Sequence, residues 1–191
     1  MLDIVAPMST RDRLSIEAAR LFAERGYHGT SMEDLADALG IRKASVYSHI
    51  KGKEDLLAEI ALAGAQAFHD ALDELPEDAA PVEKLRLALR AHLGVVDRQL
   101  DVATVWLQEW RYLAEPARGT FLKERRRYER RIRTLFQKAV DDGSLADDLD
   151  VRHAVLVFFS VANWAYTWMT HRTNVDQESD ALWALLRSGL N

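Results

Sequence analysis

Residues 30–53 read Thr30-Ser31-Met32-Glu33-Asp34-Leu35-Ala36-Asp37-Ala38-Leu39-Gly40-Ile41-Arg42-Lys43-Ala44-Ser45-Val46-Tyr47-Ser48-His49-Ile50-Lys51-Gly52-Lys53. Thr30 followed three residues later by Glu33 predicts a capping box and the start of a short helix that closes at Leu39-Gly40. A second short helix is predicted over 42–50. A helix-turn-helix needs a small residue at the turn, apolar residues that lock the helices together, and a polar outer face. Gly40 supplies the turn, and Leu35, Leu39, Ile41, Val46 and Ile50 supply the lock. Lys43, Ser45, Tyr47 and His49 supply side chains able to meet base edges or phosphates.

The flanks fit the same reading. A helix start behind Thr30 and Ser31 presents free N–H groups suited to a phosphate. Lys53 falls at the start of the following helix, where its charge opposes the dipole and phosphate contact would offset the cost. Upstream, Ser9 is a cap with Asp12 reaching back through a water or by a close approach, and Leu14, Ala18, Leu21 and Phe22 form one apolar stripe ending at Gly26. Taken singly, Tyr47 could pack its ring and His49 could be an ordinary exposed residue. A three-helix module that docks on protein is the alternative to a DNA reader, so the set carries the argument.

The runs Gly26-Tyr27-His28-Gly29-Thr30-Ser31, Leu39 through Ile50, and Lys53-Glu54-Asp55-Leu56 resemble the DNA-binding head of the tetracycline-repressor (TetR) family. The resemblance covers about residues 9–60. It implies an all-α protein of about nine helices, with a three-helix head at 1–53 and a ligand-binding and dimerisation domain at 54–191. It also implies that Lys43, Ala44 and Ser45 face bases, while Tyr47, His49, Lys53, Thr30 and Ser31 hold the backbone. The last two helices would pair two copies into a homodimer on a palindromic double-stranded operator. Ile50 stands where the family usually has Phe.

Composition agrees with a folded helical protein: 48% hydrophobic and 29% charged residues argue against disorder, and nine Gly with four Pro are few for a turn-rich β fold. The absence of Cys excludes disulfides and thiolate chemistry and fits a cytoplasmic protein. The net charge is −5, yet residues 1–53 hold eight Lys and Arg against seven Asp and Glu, so the acidity lies in the remainder. Such a division favours site-specific contacts over indiscriminate coating of DNA. Residues 1–8 have neither the basic nor the apolar run of a signal peptide. Residues 154–169 are nearly all apolar but short for a span and interrupted by Ser160 and Asn163, which predicts a buried helix and no membrane partner.

Further helices are predicted over 54–75, 82–98, a segment holding Trp106 and Trp110 and ending near Pro116, 120–142, 151–171 and 177–189. All five Trp lie beyond residue 100. Trp106/Trp110 and Trp164/Trp168 are i, i+4 pairs that could wall an apolar ligand pocket or belong to core or dimer interface. Asn163 and His92 are polar groups on apolar faces, open to a ligand or to a neighbouring helix. The run 123–133 carries seven cations and two acids, including Arg127 beside Tyr128. It is either a solvated face or an electropositive mouth for an anionic ligand. With Trp106 and Asn163-Trp164, it resembles the acyl-CoA-responsive branch of the same family, so the expected effector is an apolar molecule or amphipathic anion.

A helical-bundle enzyme is the remaining alternative, and little supports it. Asp150-x-x-His153 is the one Asp/Glu-x-x-His, short of a bundle di-metal set, and no His-Glu-x-x-His, phosphate loop or nucleophile elbow is present. The Asp cluster around Gly143 lacks calcium-loop spacing. No metal or cofactor is expected.

Overall fold

The computed structural model describes residues 8–170 and 172–190. Residues 1–7, most of the stretch read as lacking a signal peptide, and His171 lie outside the described residues. All regular structure among them is helical: α1 Thr10–Arg25, α2 Met32–Leu39, α3 Lys43–Val46, α4 Lys53–Asp73, α5 Pro81–Arg98, α6 Leu100–Gln108, α7 Ala117–Asp141, α8 Val151–Asn163 and α9 Val175–Ser188, with 3-10 turns at Glu109–Tyr112 and Ala165–Thr167. The all-helical architecture expected from the sequence is present.

Local chemistry sets the helix ends. Ser9 accepts from the Asp12 N–H, and its own N–H donates directly to Asp12 Oδ2 at 3.1 Å, the close approach of the two alternatives. The second box sits one residue later than predicted: Ser31 caps α2, and Asp34 rather than Glu33 closes the box. Gly40, at φ 65°, ends α2 in the left-handed conformation that favours glycine. α3 is regular only to Val46, then winds on through looser turns to Ile50. Arg42 gives it no side-chain cap, and the Ser48 hydroxyl takes the Ser45 carbonyl (2.6 Å), so little propagates the helix. α8 stops at Asn163, well short of the expected 171. Beyond it the Thr167 hydroxyl donates to the Trp164 carbonyl (2.7 Å), within the 3-10 turn that replaces the helix.

Leu14, Leu21 and Phe22 of α1, Leu35 of α2 and Val46 of α3 are fully or almost fully buried and lock the head. α1 and α4 also pack on α6, making the head continuous with the body. At that joint the Tyr27 N–H donates to Glu109 Oε2 (2.8 Å, buried), and the Tyr27 ring stacks on Tyr112 (5.7 Å between centroids). In the body, α4, α5, α7 and α8 enclose Phe68, Leu89, Tyr128, Phe136 and Phe158.

Candidate nucleic-acid interface and ligand cavity

In α3 and the turns that follow it, burial divides the side chains into two sets. Val46 and Ile50 face the head core, whereas Lys43, Ala44, Ser45, Tyr47 and His49 are all exposed. Tyr47 is the telling member: 51% of it is accessible, too much for a tyrosine recruited to packing. Lys43 Nζ lies 3.4 Å from Glu33 Oε2, an exposed pair of little strength that leaves the ammonium available. Ser31 is exposed at the start of α2. Its box holds the Asp34 carboxyl below its usual range through hydrogen bonds from Ser31, with Arg25 adding to the effect.

Two expected contacts are not placed to reach a duplex. Thr30 is buried, and its hydroxyl is bonded to the carbonyls of Leu21 and Gly26 (3.2 and 3.1 Å), so its role is to pin the loop behind α2. Lys53 Nζ donates to the carbonyls of Tyr27 and Thr30 (2.7 and 2.8 Å) and lies 4.2 Å from the Tyr27 ring centroid. The cation that looked misplaced at a helix start is held by carbonyl dipoles of the head. Lys53→Ala is therefore expected to destabilise the head by about 1.5–3 kcal/mol, the usual worth of hydrogen bonds to a charged group. It should leave the salt dependence of DNA affinity unchanged, which titrations at several ionic strengths would check. Sequence reasoning overlooked Arg42 and Lys51, exposed cations with no ion pair among the described residues. Their closeness to α3 was a usable signal.

A cavity of about 860 Å³ opens between α6 with its 3-10 extension, α7, α8 and the turn beyond α8. Of the expected ligand residues, Trp106, Tyr128, Asn163 and Trp164 line it. The other four do not. His92 lies behind the wall, where its Nδ1 and the Tyr128 hydroxyl share a hydrogen bond of 3.2 Å. Its full burial pushes its pKa down to about 3 and keeps the ring neutral. Trp110 turns aside to stack on Phe121 (5.7 Å, 13° between planes). Arg127 points away and lies 3.4 Å from Glu124. Trp168, displaced by the early end of α8, borders a separate hollow with Thr170 and Asn174.

The cavity's cations are Arg111, Arg125, Arg133 and Arg152, set against one lining carboxylate, Glu129. Helical phase was the missed signal: 125, 129 and 133 share a face of α7, whereas 127 is turned from 125 by roughly 200°. Arg125 is half-buried and has no ion pair among the described residues. Its guanidinium lies 5.2 Å from the Trp110 ring, and burial lowers its pKa. Apolar walls come from Leu107, Val155, Leu156 and Phe159. Two buried polar atoms of lining residues, Trp106 Nε1 and Asn163 Oδ1, have no hydrogen-bond partner among the described residues.

Residues 17–60 match the family described as "Bacterial regulatory proteins, tetR family", and residues 78–190 match "Tetracyclin repressor-like, C-terminal domain". The chain belongs to the TetR family. It is a DNA-binding transcriptional regulator and not a bundle enzyme. The HTH-type transcriptional repressor KstR2 of Mycolicibacterium smegmatis is 30% identical over 147 residues, 76% of this chain and 72% of that one. The crystal structure of the TetR family regulator PfmR from Thermus thermophilus superposes with a TM-score of 0.86 at 33% identity, covering 96% of this chain and 98% of PfmR. AibR, solved in complex with isovaleryl coenzyme A and operator DNA, gives a TM-score of 0.80 at 27% identity over 92% of this chain and 96% of AibR. No helix among the described residues is long and apolar enough to cross a membrane.

Proposed function

We propose that this regulator is a cytoplasmic homodimeric repressor that reads a palindromic operator with α3 and is released by an acyl thioester of coenzyme A. Residues 1–53 act as the reading head and 54–191 as the sensing and pairing domain. The observation that carries the DNA half is the exposure of Lys43, Ala44, Ser45, Tyr47 and His49 on a segment anchored from behind by Val46 and Ile50. Lys43, Ala44 and Ser45 address bases. Tyr47, His49, Ser31, Arg42 and Lys51 address the backbone. The ligand half rests on a cavity within the several-hundred to roughly 1,000 Å³ range of small-molecule sites. Its apolar wall suits an acyl chain, and Arg111, Arg125 and Arg152, beside an Arg133 already paired with Glu129 at 2.6 Å, suit phosphate. AibR, of the same fold and family, was crystallised with such a ligand.

Ligand and head are joined through one short segment. Leu107, Gln108 and Arg111 line the cavity, and Glu109 between them accepts from the Tyr27 N–H of the head. A ligand that prefers one setting of this segment shifts the spacing of the two heads by differential affinity.

Selection from a random duplex pool, followed by electrophoretic shift with and without octanoyl-CoA, tests both halves. Palindromic sites should be enriched, and octanoyl-CoA should release them. Lys43→Ala should weaken the selected operator by about 1–3 kcal/mol while leaving non-specific affinity nearly unchanged. A loss equal on all sequences would place Lys43 on phosphate, and no enrichment of any duplex would sink the DNA reading.

A further inference from the structure

The cavity holds more than grease and charge. Trp106 is 97% buried between Phe68 and Phe121, with ring centroids at 4.5 and 6.0 Å, and its indole N–H has no acceptor among the described residues. Asn163 ends α8 on the same cavity, and its buried side-chain oxygen has no donor there either. Leaving such groups unpaired is costly in a folded protein, and these two have opposite polarity. One asks for an acceptor and the other for a donor.

We infer that Trp106 and Asn163 form a polar anchor that recognises the thioester end of an acyl-pantetheine ligand and discriminates against the free fatty acid. This rests on the acyl-thioester reading above and deepens it. In an acyl-pantetheine the thioester carbonyl offers an acceptor, and the first amide N–H, a few bonds along the arm, offers a donor. Trp106 Nε1–H donates to that carbonyl, and Asn163 Oδ1 accepts from that amide. A carboxylate offers acceptors only, so it can meet the Trp106 N–H but leaves Asn163 Oδ1 unsatisfied. The acyl chain then lies along Leu156 and Phe159, and the coenzyme phosphates meet arginines of the lining.

The test is calorimetric titration of the full-length protein with three probes: octanoyl-CoA, its thioether analogue octyl-CoA with methylene in place of carbonyl, and octanoate. The wild type should bind octanoyl-CoA about tenfold tighter than octyl-CoA, the worth of one buried neutral hydrogen bond. Trp106→Phe keeps an aromatic ring but removes the N–H, so both affinities should fall while the ratio between them collapses toward one. Asn163→Leu should weaken octanoyl-CoA about tenfold and leave octanoate unchanged. Unaltered operator affinity without ligand serves as the folding control for both variants. Equal wild-type affinities for the two CoA compounds, or a preference that survives Trp106→Phe, would overturn the anchor while the thioester reading stood. Binding of octanoate with neither CoA compound bound would overturn the thioester reading and the anchor together.

Discussion

Phe68→Ala will lower the unfolding free energy by about 3–5 kcal/mol, the cost of removing a buried phenyl ring and leaving a cavity that surrounding atoms only partly fill. Phe68 of α4 is fully buried and packs against three rings: His92 and Trp106, each with centroids at 4.5 Å, and Tyr128 at 5.8 Å. Few sites in the chain bring so many large groups onto one side chain. At roughly 2–4 °C per kcal/mol for a chain of this size, the thermal midpoint should drop by about 6–20 °C. Calorimetry or circular dichroism would record it. The ring also backs the inner wall of the ligand cavity, because Trp106 and Tyr128 line that wall. Effector affinity should therefore fall along with stability, whereas a core ring remote from the cavity, such as Phe22, should affect stability alone. A loss below about 1 kcal/mol would mean that the aromatic cluster collapses around the gap and is not a fixed wall.

The reading head was legible because its constraints are local. A turn glycine, five apolar positions and a capped start occupy fewer than thirty consecutive residues, and each speaks through sequence spacing. What failed there was a tie between neighbours. Thr30-Glu33 and Ser31-Asp34 are both competent boxes, and the choice falls to Ser31 because the carbonyls of Leu21 and Gly26 take the Thr30 hydroxyl. Those acceptors lie in the preceding helix and at its C-cap, and capping-box spacing cannot reveal them. The intramolecular acceptors of Lys53 were hidden for the same reason, since Tyr27 and Thr30 are more than twenty residues upstream.

The cavity was legible only in part. Trp106, Tyr128, Asn163 and Trp164 line one cavity, but Arg127 and Trp168 were assigned from composition and from an assumed helix continuing to 171. Helical phase along α7 puts Arg125 and Arg133 inward instead, and the break after Asn163 swings Trp168 away. Trp110 has an interaction of its own, a stacked contact with Phe121 across the chain. Long-range aromatic pairing of this kind leaves no periodic trace.

In the proposed homodimer, Leu185→Glu will separate the two copies and reduce operator affinity by roughly a hundredfold or more. Leu185 on α9 is 72% exposed, and Val157 on α8 is 49% exposed. Between the two helices runs an apolar groove of about 450 Å³, lined by Leu149, Ala154, Val157, Val161, Leu182 and Leu186 among others. A contiguous apolar face of this kind on two adjacent helices is what a second copy covers in a symmetric pair, the partner presenting the same face in return. The symmetry makes one substitution count twice: two carboxylates enter one apolar interface, and each must lose its hydration there. Two heads held on one body bind their half-sites as a linked event, so separating them removes the effective-concentration gain while each head keeps its own contacts. Sedimentation should show the monomer mass, and the affinity for an isolated half-site should stay at the wild-type value. The thermal midpoint should become independent of protein concentration, as mass action requires once no partner is bound. If Leu185→Glu still sediments as a pair of chains, the copies meet elsewhere and α8 and α9 are not the pairing face.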